Sequence, residues 1–522
     1  MRGADVLVRT LEQAGTEIIF ALSGNQIMPV FDACLDSSVR IVHTRHEAAT
    51  GFMAEGYAQS RGTLGVALVT AGAGLGNAIS PLMTARASQT PLLLLSGDSP
   101  VRLDGQGAFQ EMDQVGLTAS VTKLSRRVTD PNMIEAELQT AIEVATSGQP
   151  GPVHLSLPAD VLEASSAAPL ASDSAISKAM PDLAEISANL SKAEKPLVLL
   201  GPELTPSRVA LDFARLGVPA IPMESPRGAN DPSLGRVGAA WAEADFVLAL
   251  GKPVDFSLRH GRAETWKNAR WITVHGDPLE VARAERCLSD RLIVAVEGPP
   301  RRVAEALVRS VDARSLPHDW ADRVAGLCDI KPSAPLMTDG RLTSAGLCEA
   351  VSRFVSSARD PIFISDGGEI GQWAQALVRS SRRVVNGVSG AIGGGVCYAI
   401  GAKAASPASD VIAVMGDGTA GFHLMEFETA VREDIPFVAV IGNDRRWNAE
   451  HELQRRSFGA DRTHGCMLSG ARYDQAVASL GGYGAHVTRT DELSDALQDA
   501  LTSGRPACVN VEIQGLPAPV MD

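Results

Sequence analysis

The chain reads as an α/β protein made of three doubly wound parallel-sheet domains. Three observations predict this. Short apolar runs of strand length alternate with helix-length segments along most of the sequence, the pattern of βαβ units. Several of those runs end directly in Gly, Ser, Asn or Asp, the residue types expected at the carboxyl ends of parallel strands, where ligands bind. A length of 522 residues exceeds what one core holds, and about three domains are expected.

Taken in order, residues 4–14 have helical apolar spacing and 17–22 form a short β run. Ser23-Gly24-Asn25 opens a helix over 26–36, with Ser or Asn as cap. A strand over 39–44 leads to Arg45-His46-Glu47, a helix follows over 48–60, and a strand over 65–70 enters the Gly-rich turn AGAGLGNAIS. The spacing of Gly72, Gly74 and Gly76 departs from a dinucleotide fingerprint, so close backbone approach to a helix or ligand is the better reading of that turn. A strand over 91–96 ends in Gly97-Asp98, and a Pro-bordered strand lies within 148–161. Residues 163–182 are Ala/Ser-rich and weakly patterned, which predicts a linker. A second α/β unit begins at Lys195 with KPLVLLGPEL and continues in strands over 244–251 and 271–277. Residues 317–339 read as a second linker. The third unit starts near Arg341 and holds a strand over 361–365, the segment GGEIGQW, the Gly-rich SGAIGGG, and a strand over 411–415 that runs into Gly416-Asp417-Gly418. A further apolar strand over 437–441 ends at Asn443-Asp444. Hard oxygen donors at two strand ends, beside a Gly-rich turn and a helix N-terminus, suit a divalent cation bridged to a phosphate. The expected domains are 1–165, 183–316 and 340–522.

Composition narrows the function. A formal net charge of −14 without a basic block argues against nucleic acid or an anionic membrane as partner. The seven cysteines (34, 287, 328, 348, 397, 466 and 508) are scattered without metal-site spacing, which predicts free thiols in a reducing compartment. No run of roughly 18 apolar residues predicts a membrane span, and the first 15 residues lack a signal-peptide core. The expectation is a soluble cytoplasmic protein.

The ordered motifs FALSGNQIMPVFDA, TRHEAATGFMAEGYAQ, GAFQE, GPVHLSLPADV, SGAIGGGVCYAIGA, and GDG followed by GND resemble the thiamine-diphosphate-dependent enzymes of the acetolactate synthase and 2-keto acid decarboxylase superfamily. The likeness runs over essentially the whole length. It implies a pyrimidine-binding first domain, a central domain and a diphosphate-binding third domain. It further implies that Asp417, Asp444 and the backbone carbonyl of Arg446 hold Mg²⁺ or Ca²⁺, which in turn holds the diphosphate. Asp444 lies 27 positions after Asp417, where the family usually has Asn; a carboxylate there keeps the hard oxygen and adds charge.

By the same resemblance, Gly416, Gly418 and Thr419 meet the diphosphate, and Gly367, Gly368, Glu369 and Ile370 form its second loop, although Gln-His is usual at 369–370. Glu47 is implied as the catalytic carboxylate that hydrogen-bonds the aminopyrimidine ring. Ile392 is implied as the apolar prop under the cofactor, and the Gly390 backbone carbonyl as an acceptor for the aminopyrimidine. Gln110 and Asn25 are catalytic candidates through hydrogen bonds on the substrate side, with Leu22, Ser23, Gly24, Gln26, Phe109 and Trp447 lining the substrate pocket. His46, His423, His451 and His464 read as structural or surface residues.

Leu453 stands where acetolactate synthases carry a specificity Trp, which argues against strict acetolactate synthesis. Gly251-Lys252-Pro253 replaces the Gly-x-Arg of flavin-binding members, so FAD is not expected. The implied substrates are 2-keto acids or 2-hydroxyacyl compounds. The alternatives are a 2-hydroxyacyl-CoA lyase, ranked lower because little chain follows the last strand to close over CoA, a benzoylformate-type decarboxylase, and a non-catalytic regulatory paralogue. The resemblance also implies a homodimer or homotetramer with active sites at the subunit interface.

Overall fold

The computed structural model describes residues 1–167, 180–225, 227–310, 318–385 and 389–521. Three parallel sheets form its skeleton. The first contains β1 (Ile18–Ala21), β2 (Arg40–His43), β3 (Gly65–Val69), β4 (Leu92–Asp98), β5 (Leu124–Arg127) and β6 (Pro152–Pro158), in the order β2-β1-β3-β4-β6-β5. The central sheet contains β7 (Pro196–Leu200), β8 (Ala220–Pro222), β9 (Phe246–Leu250), β10 (Arg270–His275) and β11 (Leu292–Glu297), in the order β11-β10-β9-β7-β8. A short antiparallel hairpin, β12 (Met337–Thr338) and β13 (Arg341–Leu342), precedes the third sheet. That sheet contains β14 (Ile362–Ser365), β15 (Arg382–Val385), β16 (Val411–Gly416), β17 (Val438–Asn443), β18 (Tyr483–Val487) and β19 (Ala507–Glu512). Its order, β15-β14-β16-β17-β19-β18, repeats the topology of the first sheet strand for strand, although the two sequences show no obvious repeat. Three doubly wound α/β domains are thus present.

Inner strands such as β4 and β16 are buried along nearly their whole length, because helices cover both faces. Of the first expected linker, residues 168–179 lie outside the described residues. The second expected linker needs correction. It carries an α-helix, His318–Asp329, whose Trp320 and Val324 are buried in the central core. The Trp320 indole N–H donates to the Pro196 carbonyl at 2.9 Å, so burial of one aromatic anchor fixes a segment whose flanking polar residues read as linker.

Helix Glu47–Arg61 of the first domain crosses helix Gly395–Ala405 of the third within the same chain. Two glycines let their backbones meet: a Cβ on Gly56 would lie 2.7 Å from the Tyr398 carbonyl oxygen, and one on Gly401 would collide with that of Met53. The Tyr398 hydroxyl donates to the buried Glu55 carboxylate at 3.1 Å. This crossing merges part of the first and third cores into one apolar cluster. Among the described residues, no helix is long and apolar enough to cross a membrane.

Candidate active site

At the carboxyl ends of β14, β16 and β17 the third domain opens into a cavity of about 230 Å³, where a parallel sheet is expected to take its ligand. Gly367, Gly368, Glu369, Ile370, Ile392, Gly416, Asp417, Gly418, Thr419, Asp444 and Arg446, eleven residues expected at the cofactor and metal, all line it, and so does Trp447, which was expected in the substrate pocket. Gly390 is not in its wall.

Two aspartates line it, Asp417 and Asp444. Asp417 begins a short helix immediately after β16 and is 1% exposed, with its Oδ2 buried and unpartnered among the described residues. Burial pushes its carboxyl up to about 6, an effect partly offset by backbone N–H groups of Gly418, Arg445 and Arg446. Asp444 is pushed up to about 7, first by burial and then by the charge of Asp417. Its Oδ1 accepts the Arg446 backbone N–H at 3.1 Å. The charge of one desolvated carboxylate thus burdens the other, a cost that a bound cation would remove. Among the described residues no group of three His, Cys, Asp or Glu side chains could hold a metal, so a backbone carbonyl such as that of Arg446 fits as the third protein donor. This donor set fits a hard divalent ion. The preceding residue, Arg445, adopts the left-handed conformation (φ 61°), a strained backbone that aims the loop.

Trp447 closes one wall. A Cβ on Gly418 would lie 2.6 Å from its ring, so only glycine lets the indole rest on the turn after β16.

The first-domain candidates gather at a second place. The Glu47 carboxylate, in the first turn of helix Glu47–Arg61, accepts from the Asn77 side chain at 2.9 Å and lies beside Gly74. Gln26 donates to Gln110 at 2.8 Å and accepts from the Thr70 hydroxyl. Gly24 packs on Thr70 where no Cβ would fit, the Leu22 backbone N–H pairs with Leu68, and the Ser23 hydroxyl meets His43 at 3.1 Å. Asn25 is exposed, and so is Phe109, at 73%. None of these residues lines the cavity around Asp417. One chain therefore presents two clusters, each made of its own candidates.

Residues 1–117 match the family description "Thiamine pyrophosphate enzyme, N-terminal TPP binding domain", and residues 366–511 match "Thiamine pyrophosphate enzyme, C-terminal TPP binding domain". The 2-hydroxyacyl-CoA lyase 2 of Bos taurus is 30% identical to the chain, over 98% of its length and 90% of that protein. The chain belongs to the thiamine pyrophosphate enzymes. The protein of the same name from Homo sapiens is also 30% identical, over 98% of the chain and 90% of its own length. The acetolactate synthase large subunit IlvG of Mycobacterium tuberculosis is 28% identical, over 98% and 95%. The relatives thus include both a synthase and a lyase, and the chain is acetolactate-synthase-like in the broad sense.

Within this thiamine pyrophosphate enzyme, several residues that sequence reasoning missed hold the two clusters in shape. Asp366 accepts backbone N–H groups from Gly367 (2.7 Å), Gly393 (3.1 Å) and Gly395 (2.8 Å), binding the loop of Ile392 to the end of β14. Tyr473 donates its hydroxyl to the Asp417 backbone oxygen at 2.8 Å. Glu426, 1% exposed, accepts the Arg45 backbone N–H at 3.0 Å, fixing the turn that precedes Glu47. His423, read from the sequence as structural or surface, is buried, with Nδ1 2.6 Å from the Gly393 carbonyl oxygen.

Proposed function

We propose that the chain is a metal- and thiamine-diphosphate-dependent enzyme that forms or cleaves a C–C bond next to a carbonyl. Its substrate is a 2-keto acid or 2-hydroxyacyl compound, and its sites are completed between two copies of the chain. The observation that carries this reading is the pair of carboxylates, buried Asp417 and partly buried Asp444, in a glycine-lined cavity with Glu47 outside it. Asp417, Asp444 and the Arg446 carbonyl would hold Mg²⁺ or Ca²⁺, with Gly416, Gly418 and Thr419 against the diphosphate and Gly367 to Ile370 opposite. Ile392 would support the rings from below, and Glu47 of a second protomer would hold and return a proton at a ring nitrogen. The bound cofactor supplies the carbanion-stabilising chemistry. Gln26, Gln110 and Asn25 would orient the substrate oxygen, and Trp447 would exclude water from the diphosphate end.

Within that class, decarboxylation or carboligation of a 2-keto acid is the first reading, and cleavage of a 2-hydroxyacyl-CoA is the second, favoured by the relatives of that name at 30% identity. Turnover assays with pyruvate, benzoylformate, longer 2-keto acids and 2-hydroxyacyl-CoAs, with product analysis, distinguish the two. On the best substrate, Glu47→Gln is expected to lower kcat about a hundredfold or more while cofactor binding measured by calorimetry persists. Unchanged turnover in that variant would sink the proposal.

A further inference from the structure

One wall of the third-domain cavity comes from elsewhere. Arg227 lies between β8 and β9 of the central domain, yet it lines the same space as Asp417. Facing it is Glu369, in the first turn of helix Gly368–Leu377, 7% exposed, with Oε2 buried and unpartnered among the described residues. Each side chain lies in the other's electrostatic field, but no direct ion pair joins them among the described residues. The cavity wall thus carries four acids, Asp417, Asp444, Glu369 and Glu450, against two arginines, Arg227 and Arg446.

A divalent ion accounts for Asp417 and Asp444. It does nothing for Glu369, which stands beside Gly367 and Gly368 at the N-terminus of a ten-residue helix. Helix N-termini attract anions, and here the chain's own carboxylate already stands in that field. An incoming diphosphate must share the space with it. Arg227 is the cation that can balance this, because a guanidinium offers paired donors to phosphate oxygens.

We propose that Arg227 and Glu369 are an opposed pair that sets how tightly this chain holds the diphosphate: Arg227 reaches from the central domain to bind it, and Glu369 acts as a resident anion that it must displace. The central domain is then part of the cofactor site as well as a spacer. The proposal rests on the reading that the cavity takes the cofactor's diphosphate and metal.

The test is calorimetric titration of thiamine diphosphate, with Mg²⁺ present, into the full-length protein and its variants. Glu369→Gln keeps the side-chain shape, removes the charge, and is expected to tighten binding several-fold. Arg227→Met is expected to weaken it by on the order of tenfold and to reduce its salt dependence. The double variant returns towards the wild-type affinity. Opposite signs from the two single variants are not what a general folding defect produces. The pair is overturned if Glu369→Gln weakens binding or if Arg227→Met binds as the wild type does. A wild-type chain that takes up no cofactor, with Asp417→Asn behaving identically, would remove the proposed function and this pair together.

Discussion

Asp444 differs from an amide by one charge, and that charge has opposite consequences with and without metal. In the metal-free chain it adds a second, partly buried carboxylate in the electrostatic field of Asp417, so Asp444→Asn should raise the melting temperature of the chelator-treated protein. With metal present, the lost anion should lower Mg²⁺ affinity, on the order of tenfold, as judged by titration. His154 provides a separate residue-scale prediction. It is fully buried, with Nε2 2.8 Å from the Ser96 hydroxyl and Nδ1 3.0 Å from those of Thr118 and Ser125. Burial pushes it down to about 3. Below the ordinary histidine value of about 6.5 the unfolded chain takes up a proton that the folded chain refuses, so stability falls as pH drops from there towards 3. The loss from this residue at pH 5 is about 2 kcal/mol. His154→Gln lacks this term, so urea midpoints of wild type and variant should converge between pH 7.5 and pH 5. Residues such as Asp417 and Glu47 were legible in the sequence because local motifs surround them. Glu426 and Asp366 were not, because what they hold is remote: Glu426 serves Arg45 of another domain, and Asp366 serves Gly393 and Gly395 across a helix and a strand.

At the scale of elements, inner strands announced themselves and edges did not. Among the described residues, most strands with two neighbours, such as β3, β9 and β16, appear in the sequence as near-continuous apolar runs. Of the six edge strands of the three parallel sheets, only β2 was marked. The other five (β5, β8, β11, β15 and β18) are partly exposed and carry residues such as the two arginines of β5 and the His486 of β18, which hide the strand signal. Helix contacts were equally illegible, since a glycine in a helix looks the same whether it faces water or another backbone. Gly401 and Gly326 make the difference measurable. At Gly401 a side chain would strike the Met53 backbone, so Gly401→Val should destabilise by about 3 kcal/mol or more. Gly326, within helix His318–Asp329, has nothing within 4 Å of where a Cβ would stand. Gly326→Ala should therefore stabilise by about 0.5–1 kcal/mol. Thermal and urea unfolding of the two variants checks both signs.

For the molecule as a whole, the central sheet shows how the domains are held. Its order places a ligand crevice between β7 and β9, where strand direction of travel reverses. That crevice is closed from within: Gly201 abuts the Gly251 carbonyl, and Gln89 of the first domain donates to Gly251 while accepting from the Glu203 backbone N–H. Arg208 of the central domain returns the contact, donating to the carbonyls of Ser88 and Gln89. Purified protein should accordingly carry no flavin absorbance, and titration with FAD or ADP should release no heat of binding. The helix crossing at Gly56 and Gly401 similarly fixes the first domain against the third within one chain, while Glu47 stays out of the Asp417 cavity. If each site takes Glu47 from one protomer and Asp417 from another, two dead variants must be able to rescue each other. Glu47→Gln and Asp417→Asn should each be inactive alone. A dimer of one with the other has one site bearing both changes and one site bearing neither. Random exchange in an equimolar mixture makes about half the dimers mixed, so about a quarter of wild-type activity should return. Co-unfolding and refolding the two variants, with each refolded separately as control, measures it. No recovery from a mixture shown to contain mixed dimers would mean that each chain completes its own site.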